Sequence, residues 1–169
     1  LNETLGGEGG LEVRLDIIPK VEPDIVASIT DRRDVADASF EALYSSHNLE
    51  HLHPHEVGAA LAEFRRVLKP YGFALITVPD LRQVARHIAE DRAEETILMT
   101  NKGPISPPDV LYAFRPFLAA GHPYIAHNFG FTAPTLRAPL LEAGFADVPG
   151  APAGKHNRSA TASPTARPA

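Results

Sequence analysis

Ser45, Ser46, His47, Glu50 and His51 put hydroxyls, imidazoles and a carboxylate into one short stretch, SSHNLEH. Histidine changes charge near neutral pH, so His47 is a candidate general base. His47, Glu50, His51, His53 and His55 also have the chemistry of metal ligands. A helix would have to include both His47 and His51 to make them i,i+4 partners. Pro54 instead places the start of the next helix after them. No motif with defined ligand spacing supports a metal site, so none is assigned. A metal-dependent activity of the 47–55 cluster stays as an alternative.

The flanking pattern says what must position these residues. Phe40–Tyr44 and Phe73–Val78 are apolar runs bounded by turn residues, as in strands buried on both faces. Between them Val57, Ala60, Leu61, Phe64 and Leu68 recur at helical spacing, which predicts a helix from about His55 to Leu68 ended by Pro70 and Gly72. Arg65, Arg66 and Lys69 read as its solvated face. The two strands should be adjacent and parallel, joined by a right-handed crossover. Such a unit is half of a doubly wound sheet, whose ligands bind at the carboxyl ends of the strands. The 45–51 stretch falls at such an end.

The remainder organises around that unit. Glu12–Asp16 and Ile25–Ser28 are short β-like segments. Asp80 with Gln83 has the form of a capping box before the stripe Leu81, Val84, Ala85 and Ile88. Residues 95–131 combine five prolines with large apolar side chains that include Leu111, Tyr112, Phe114, Phe117, Tyr124 and Phe129. That composition predicts an ordered insertion, a lid over the carboxyl ends that brings some of Tyr112, Phe114, Tyr124 and His127 toward Ser45–His51. Thr132 caps a further helix that Pro139 should kink or divide, and Phe145–Val148 reads as a strand. From 149 to 169 the chain is Ala, Pro, Ser, Thr and Gly with few large apolar residues, which predicts disorder. The expected domain is therefore 1–148.

Composition narrows the function. The 169 residues carry 16 basic and 21 acidic side chains, a net charge of −5 that gives no broad footprint for nucleic acid. The chain has no cysteine, which fits a cytoplasmic location and removes disulfide and thiolate-metal chemistry. No apolar run is long enough to span a membrane.

The order LDIIP, DIVASITD, SFEALYSSHNLEHL, EFRRVLKPYGFALITVPDL and GFTAPTLRAPLLEAGF resembles the class I S-adenosylmethionine-dependent methyltransferases, nearest the type 11 subgroup. The resemblance spans about residues 11–148 and implies a Rossmann-like, mostly parallel sheet with S-adenosylmethionine as cosubstrate. It implies that Asp16 holds the cosubstrate ribose and that Asp31 reaches the adenine amino group. Ser45 and Ser46 would pass beside the methionine part, with His47 as the tentative catalytic base. The implied methyl acceptor is a small molecule or glycan. Three features depart from the family pattern, one of them Tyr71 of LKPYG in place of a glycine. Only LNETLGGEGG precedes the second strand where a glycine-rich loop and helix belong, and the tail is not expected to supply the last antiparallel strand. Hence a second alternative, a catalytically inactive remnant that binds a partner, with a homodimer covering the incomplete sheet.

Overall fold

The computed structural model describes residues 11–31, 35–152 and 157–164. Its centre is a four-stranded sheet, ordered β3 (Phe40–Ser46), β4 (Leu68–Pro79), β8 (Asn157–Ala162) and β7 (Gly150–Pro152). β3 and β4 are parallel, with Ala42 opposite Phe73 and Ser46 opposite Thr77. The connecting helix α1 runs Val57–Val67, close to the span its apolar spacing predicts. It buries Val57, Ala60, Leu61, Phe64 and Val67. Tyr71–Gly72 lies within β4, and glycine is needed there because a Cβ at Gly72 would meet the Glu41 carbonyl at 2.8 Å.

One face of this sheet is dry. Ala74, Ile76 and Val78 of β4 pack with α1, with Leu136 and Leu140 of α5 (Ala133–Glu142), and with Ala160 and Ala162 of β8. On the other face Phe73 and Leu75 are only half-buried, and Tyr44 of β3 is exposed. The expected burial of these strands on both faces thus holds for one. Arg66 is not a free surface cation either. It bonds the Val35 carbonyl at 2.7 Å and Glu63 at 2.9 Å, fastening the loop before β3 to α1. Lys69 likewise reaches Glu41 at 2.9 Å.

A separate two-stranded ribbon pairs β1 (Leu15–Asp16) in parallel with β2 (Ile25–Val26). Between ribbon and sheet lies a cavity of about 140 Å³, lined by Leu15, Ile25 and Ile29 on one side and by Ala42, Leu43 and Ser45 on the other. The glycine-rich segment 1–10 lies outside the described residues.

The C-terminal expectation is overturned. β8 lies antiparallel to β4, with Ala162 opposite Ala74 and Asn157 opposite Pro79, and supplies the last strand the composition did not promise. Its small side chains are the reason: Ala160 and Ala162 are buried, yet they carry too little apolar surface to mark a strand. Phe145 and Val148 are buried but not in a strand, and only Asp147 bridges to Ser163. α5 continues unbroken through Pro139 and is capped by Thr132 and Thr135.

The insertion is ordered. It holds a hairpin of β5 (Leu98–Thr100) and β6 (Gly103–Ile105), then α3 (Pro107–Tyr112) and α4 (Arg115–Ala119). α2 itself is Leu81–Ala89, with Asp80 accepting from the Arg82 amide. Gln83 contributes its main-chain N–H to the Asp80 carbonyl. α3 starts with a capping box in which Ser106 and Asp109 bond reciprocally. No helix among the described residues is long and apolar enough to cross a membrane.

Candidate functional site

The site is built where β3 ends. The Ser46 hydroxyl accepts a hydrogen bond from the Thr77 hydroxyl at 2.8 Å, and the His47 amide donates to the Thr77 carbonyl at 3.0 Å. His47 then turns the chain with φ +55°, a left-handed conformation that costs a non-glycine residue energy and persists only where its surroundings hold it. Beyond it Leu49–His51 forms one 3₁₀ turn that buries Leu49 and Glu50. Ser45 is also buried, and its hydroxyl accepts from the Asn48 amide group at 3.3 Å.

Glu50 is the deepest polar residue here, 1% exposed. One carboxylate oxygen, Oε1, meets His47 Nδ1 at 3.0 Å. The other, Oε2, is buried with no hydrogen-bond partner among the described residues. The Glu50 carbonyl accepts from the amides of Asn128 and Phe129, at 2.8 and 3.1 Å. The Asn128 side chain donates to the His51 carbonyl at 2.7 Å. Residues 126–131 are thereby laced to the 3₁₀ turn, and Phe131 continues alongside Asp80 at the end of β4. Their approach is close: a Cβ on Gly130 would lie 2.6 Å from Leu81.

This lacing brings His127 to His51, ring centroids 5.0 Å apart and edge to face. His51 Nδ1 donates to the Ala126 carbonyl at 3.1 Å and His127 Nδ1 to the Val110 carbonyl at 2.9 Å. Burial pushes the His127 imidazole below its ordinary pKa, against the pull of its bond to Val110 and of the Glu50 charge. One donor atom from each of Glu50, His51 and His127 lies within 4.8 Å of the others. His53 and His55 are outside this group; they stack on each other at the surface, 5.8 Å between centroids. Of the aromatic residues expected at the site, Tyr112 and Tyr124 are largely exposed, at 62% and 68%. His127 is the insertion residue that arrives.

The two aspartates stand on the ribbon. Asp16 ends β1, and its Oδ1 accepts from the Ile18 amide at 2.8 Å. Among the described residues no donor reaches its second oxygen. Asp31 is exposed and closes a tight turn in which its amide donates to the Ser28 carbonyl at 3.2 Å, with the Ser28 and Thr30 hydroxyls 2.8 Å apart. Asp16 faces Val26 in register, so both carboxylates follow the carboxyl ends of their strands.

Sequence reasoning placed Asp80 as a helix cap, which it is, but missed its pairing with Arg158. Asp80 is 2% exposed, and its Oδ2 accepts from Arg158 Nε at 2.6 Å, tying the last strand to the start of α2. A carboxylate at the end of the second long strand was a visible signal. Its partner, in a tail read as disordered, was not.

Residues 14–76, from the ribbon to β4, match the model of a methyltransferase domain family. The fold is that of the class I S-adenosylmethionine-dependent methyltransferases. The structure of the PH0226 protein of Pyrococcus horikoshii is similar, with a TM-score of 0.59 at 16% identity over 94% of this chain and 74% of that one. A Thermotoga maritima S-adenosylmethionine-dependent methyltransferase gives 0.53 at 12% identity, over 82% of this chain and 62% of its own. A Burkholderia thailandensis 1,6-didemethyltoxoflavin N1-methyltransferase, solved with S-adenosylhomocysteine, gives 0.50 at 18%, over 88% and 58%. The chain thus spans less than two thirds of the last two. No curated protein sequence matches it.

Proposed function

We propose that this methyltransferase-type domain binds S-adenosylmethionine and transfers its methyl group to a small-molecule or glycan acceptor. The observation that carries the reading is that the match over residues 14–76 includes Asp16, Asp31, Ser45, Ser46 and His47, all at or just beyond strand carboxyl ends. The residues suit the cosubstrate. Asp16 keeps one carboxylate oxygen for a ribose diol, and its neighbour Leu15, with Ile25 and Ile29, gives the cavity between ribbon and sheet apolar walls for a flat base.

When bound, S-adenosylmethionine supplies a methyl group already activated by its sulfonium, so the protein's task is alignment more than covalent help. Ser45 and Ser46 are held by Asn48 and Thr77 and form a fixed floor. His47 Nδ1 is engaged by Glu50, which leaves Nε2 to receive the proton an oxygen or nitrogen acceptor loses. The insertion closes the acceptor side and sets which molecule enters.

Calorimetric titration with S-adenosylhomocysteine tests the reading. Saturable binding that is weakened by Asp16→Ala supports it. No heat at millimolar ligand would instead favour the partner-binding remnant.

A further inference from the structure

We propose that Glu50, His51 and His127 form a binding site for one divalent transition-metal ion, of the zinc, manganese or cobalt type. Three electron-pair donors converge, each within 4.8 Å of the others. The arrangement of hydrogen bonds around them is the second observation. Both imidazoles give their Nδ1 hydrogen to a main-chain carbonyl, of Ala126 and of Val110. That fixes the tautomer that leaves Nε2 with its lone pair, and it is the outer-shell support that metal-binding histidines usually have. The third donor comes from a carboxylate that is 1% exposed, with Oε1 on His47 and Oε2 without a hydrogen-bond donor among the described residues.

A buried carboxylate oxygen without a donor is costly. A cation held among the three donors would satisfy that oxygen and both Nε2 lone pairs at once. Two imidazoles and a carboxylate select borderline metals over calcium or magnesium, which prefer oxygen. Tetrahedral zinc with bonds of about 2.0–2.1 Å would hold its donors roughly 3.4 Å apart. The widest gap must then close by no more than about 1.4 Å, within reach of small side-chain rotations.

His51 and Glu50 belong to the turn after β3, and His127 belongs to the insertion. The ion would therefore clip the insertion to the sheet. Three protein donors also leave at least one position for water or an acceptor oxygen, the pattern of an open site. Binding of the ion does not depend on the methyltransferase reading, since the metal alone is the probe.

The test is a titration of the chelator-treated, full-length chain with Zn²⁺ by calorimetry and with Co²⁺ by visible absorption. The expected result is one equivalent bound, with cobalt ligand-field bands of low symmetry and a melting temperature raised by the metal. His51→Gln and His127→Gln should each weaken binding by more than about 100-fold, and His47→Ala by about 10–100-fold as an outer-shell partner. His53→Ala and His55→Ala should change nothing. Circular dichroism shows whether each variant keeps its fold. Absence of stoichiometric binding in the unaltered chain overturns the proposal. So does binding that survives in folded His51→Gln and His127→Gln but is lost in His53→Ala or His55→Ala.

Discussion

The two sides of the candidate site are constructed differently. On the β3–β4 side, Ser45, Glu50 and Asp80 are buried, and their partners come from far along the chain: residues 126–131 for Glu50, Arg158 for Asp80. On the ribbon side, Asp16 and Asp31 are held by turns of their own neighbourhood, to Ile18 and Ser28. A site region assembled from remote segments is as stable as the whole fold. One assembled from local turns can open by itself. The β3–β4 side should therefore be rigid and the ribbon side adaptable.

The contrast can be broken from the rigid side first. Leu61 is fully buried between α1 and the sheet, so Leu61→Ala should lower unfolding free energy by about 2–5 kcal/mol in urea melts. Leu15→Ala, in the ribbon, should cost clearly less, because Leu15 is only half-buried. Equal losses would mean the ribbon is as well packed as the sheet. Arg158→Ala leaves the buried Asp80 carboxylate unpaired and should cost about 2–4 kcal/mol, somewhat under the usual figure because Arg158 is partly exposed. A negligible loss would show that β8 contributes little to this side.

The insertion offers a pH test of the same contrast. Asp109 is buried, which alone would raise its pKa, but Arg115 and Ser106 bond its carboxylate and hold it well below the usual range. Unfolded, Asp109 has its ordinary pKa near 3.9. Between the two values the unfolded chain binds more protons, so stability rises with pH there. The contribution is complete above about pH 5 and is lost as pH falls below about 4 toward the folded-state value. Asp109→Asn should cost about 2–3 kcal/mol at neutral pH, with the difference from the unaltered chain shrinking in acid. A difference independent of pH would show that charge is not what matters at this position.

The smallest effect on stability should come from the ribbon's own carboxylate. Asp16→Ala should shift the melt by less than about 1 kcal/mol, since it loses one turn hydrogen bond at a half-exposed position. The same change should weaken S-adenosylhomocysteine binding by about 1.5–3 kcal/mol, the scale of a hydrogen bond to a charged acceptor. Large destabilisation with unchanged binding would reverse the roles assigned to the two sides.

The β3–α1–β4 unit was legible because its apolar residues repeat at spacings only one element type satisfies. Val57, Ala60, Leu61 and Phe64 leave no alternative to a helix, and Val57–Val67 is where it forms. β8 was illegible because alanine, serine and threonine fill a thin gap against β4 without looking hydrophobic. At the site, Ser45, Ser46, His47 and Glu50 could be located from the strand that precedes them. Their grouping could not: His51 is brought to His127 by the bonds that tie residues 126–129 to Glu50 and His51, for which periodicity carries no signal. His53 and His55, adjacent in sequence and inviting as ligands, point to the same limit, since they pair with each other instead.

The pairing of β4 with β8 has a consequence for the order of assembly. β3 and β4 are separated by a single helix and can join soon after both exist, whereas Ala74–Pro79 waits for Asn157–Ala162. At synthesis rates of about 5–20 residues per second, that edge of β4 stands open for roughly 4–16 s. During that interval it offers unpaired main-chain donors and acceptors, beside Ile76 and Val78, to any neighbouring strand. A chain interrupted before Asn157–Ala162 is made would keep that edge of β4 unpaired and open to pairing with its own copies, so completing β8 is also a protection against aggregation.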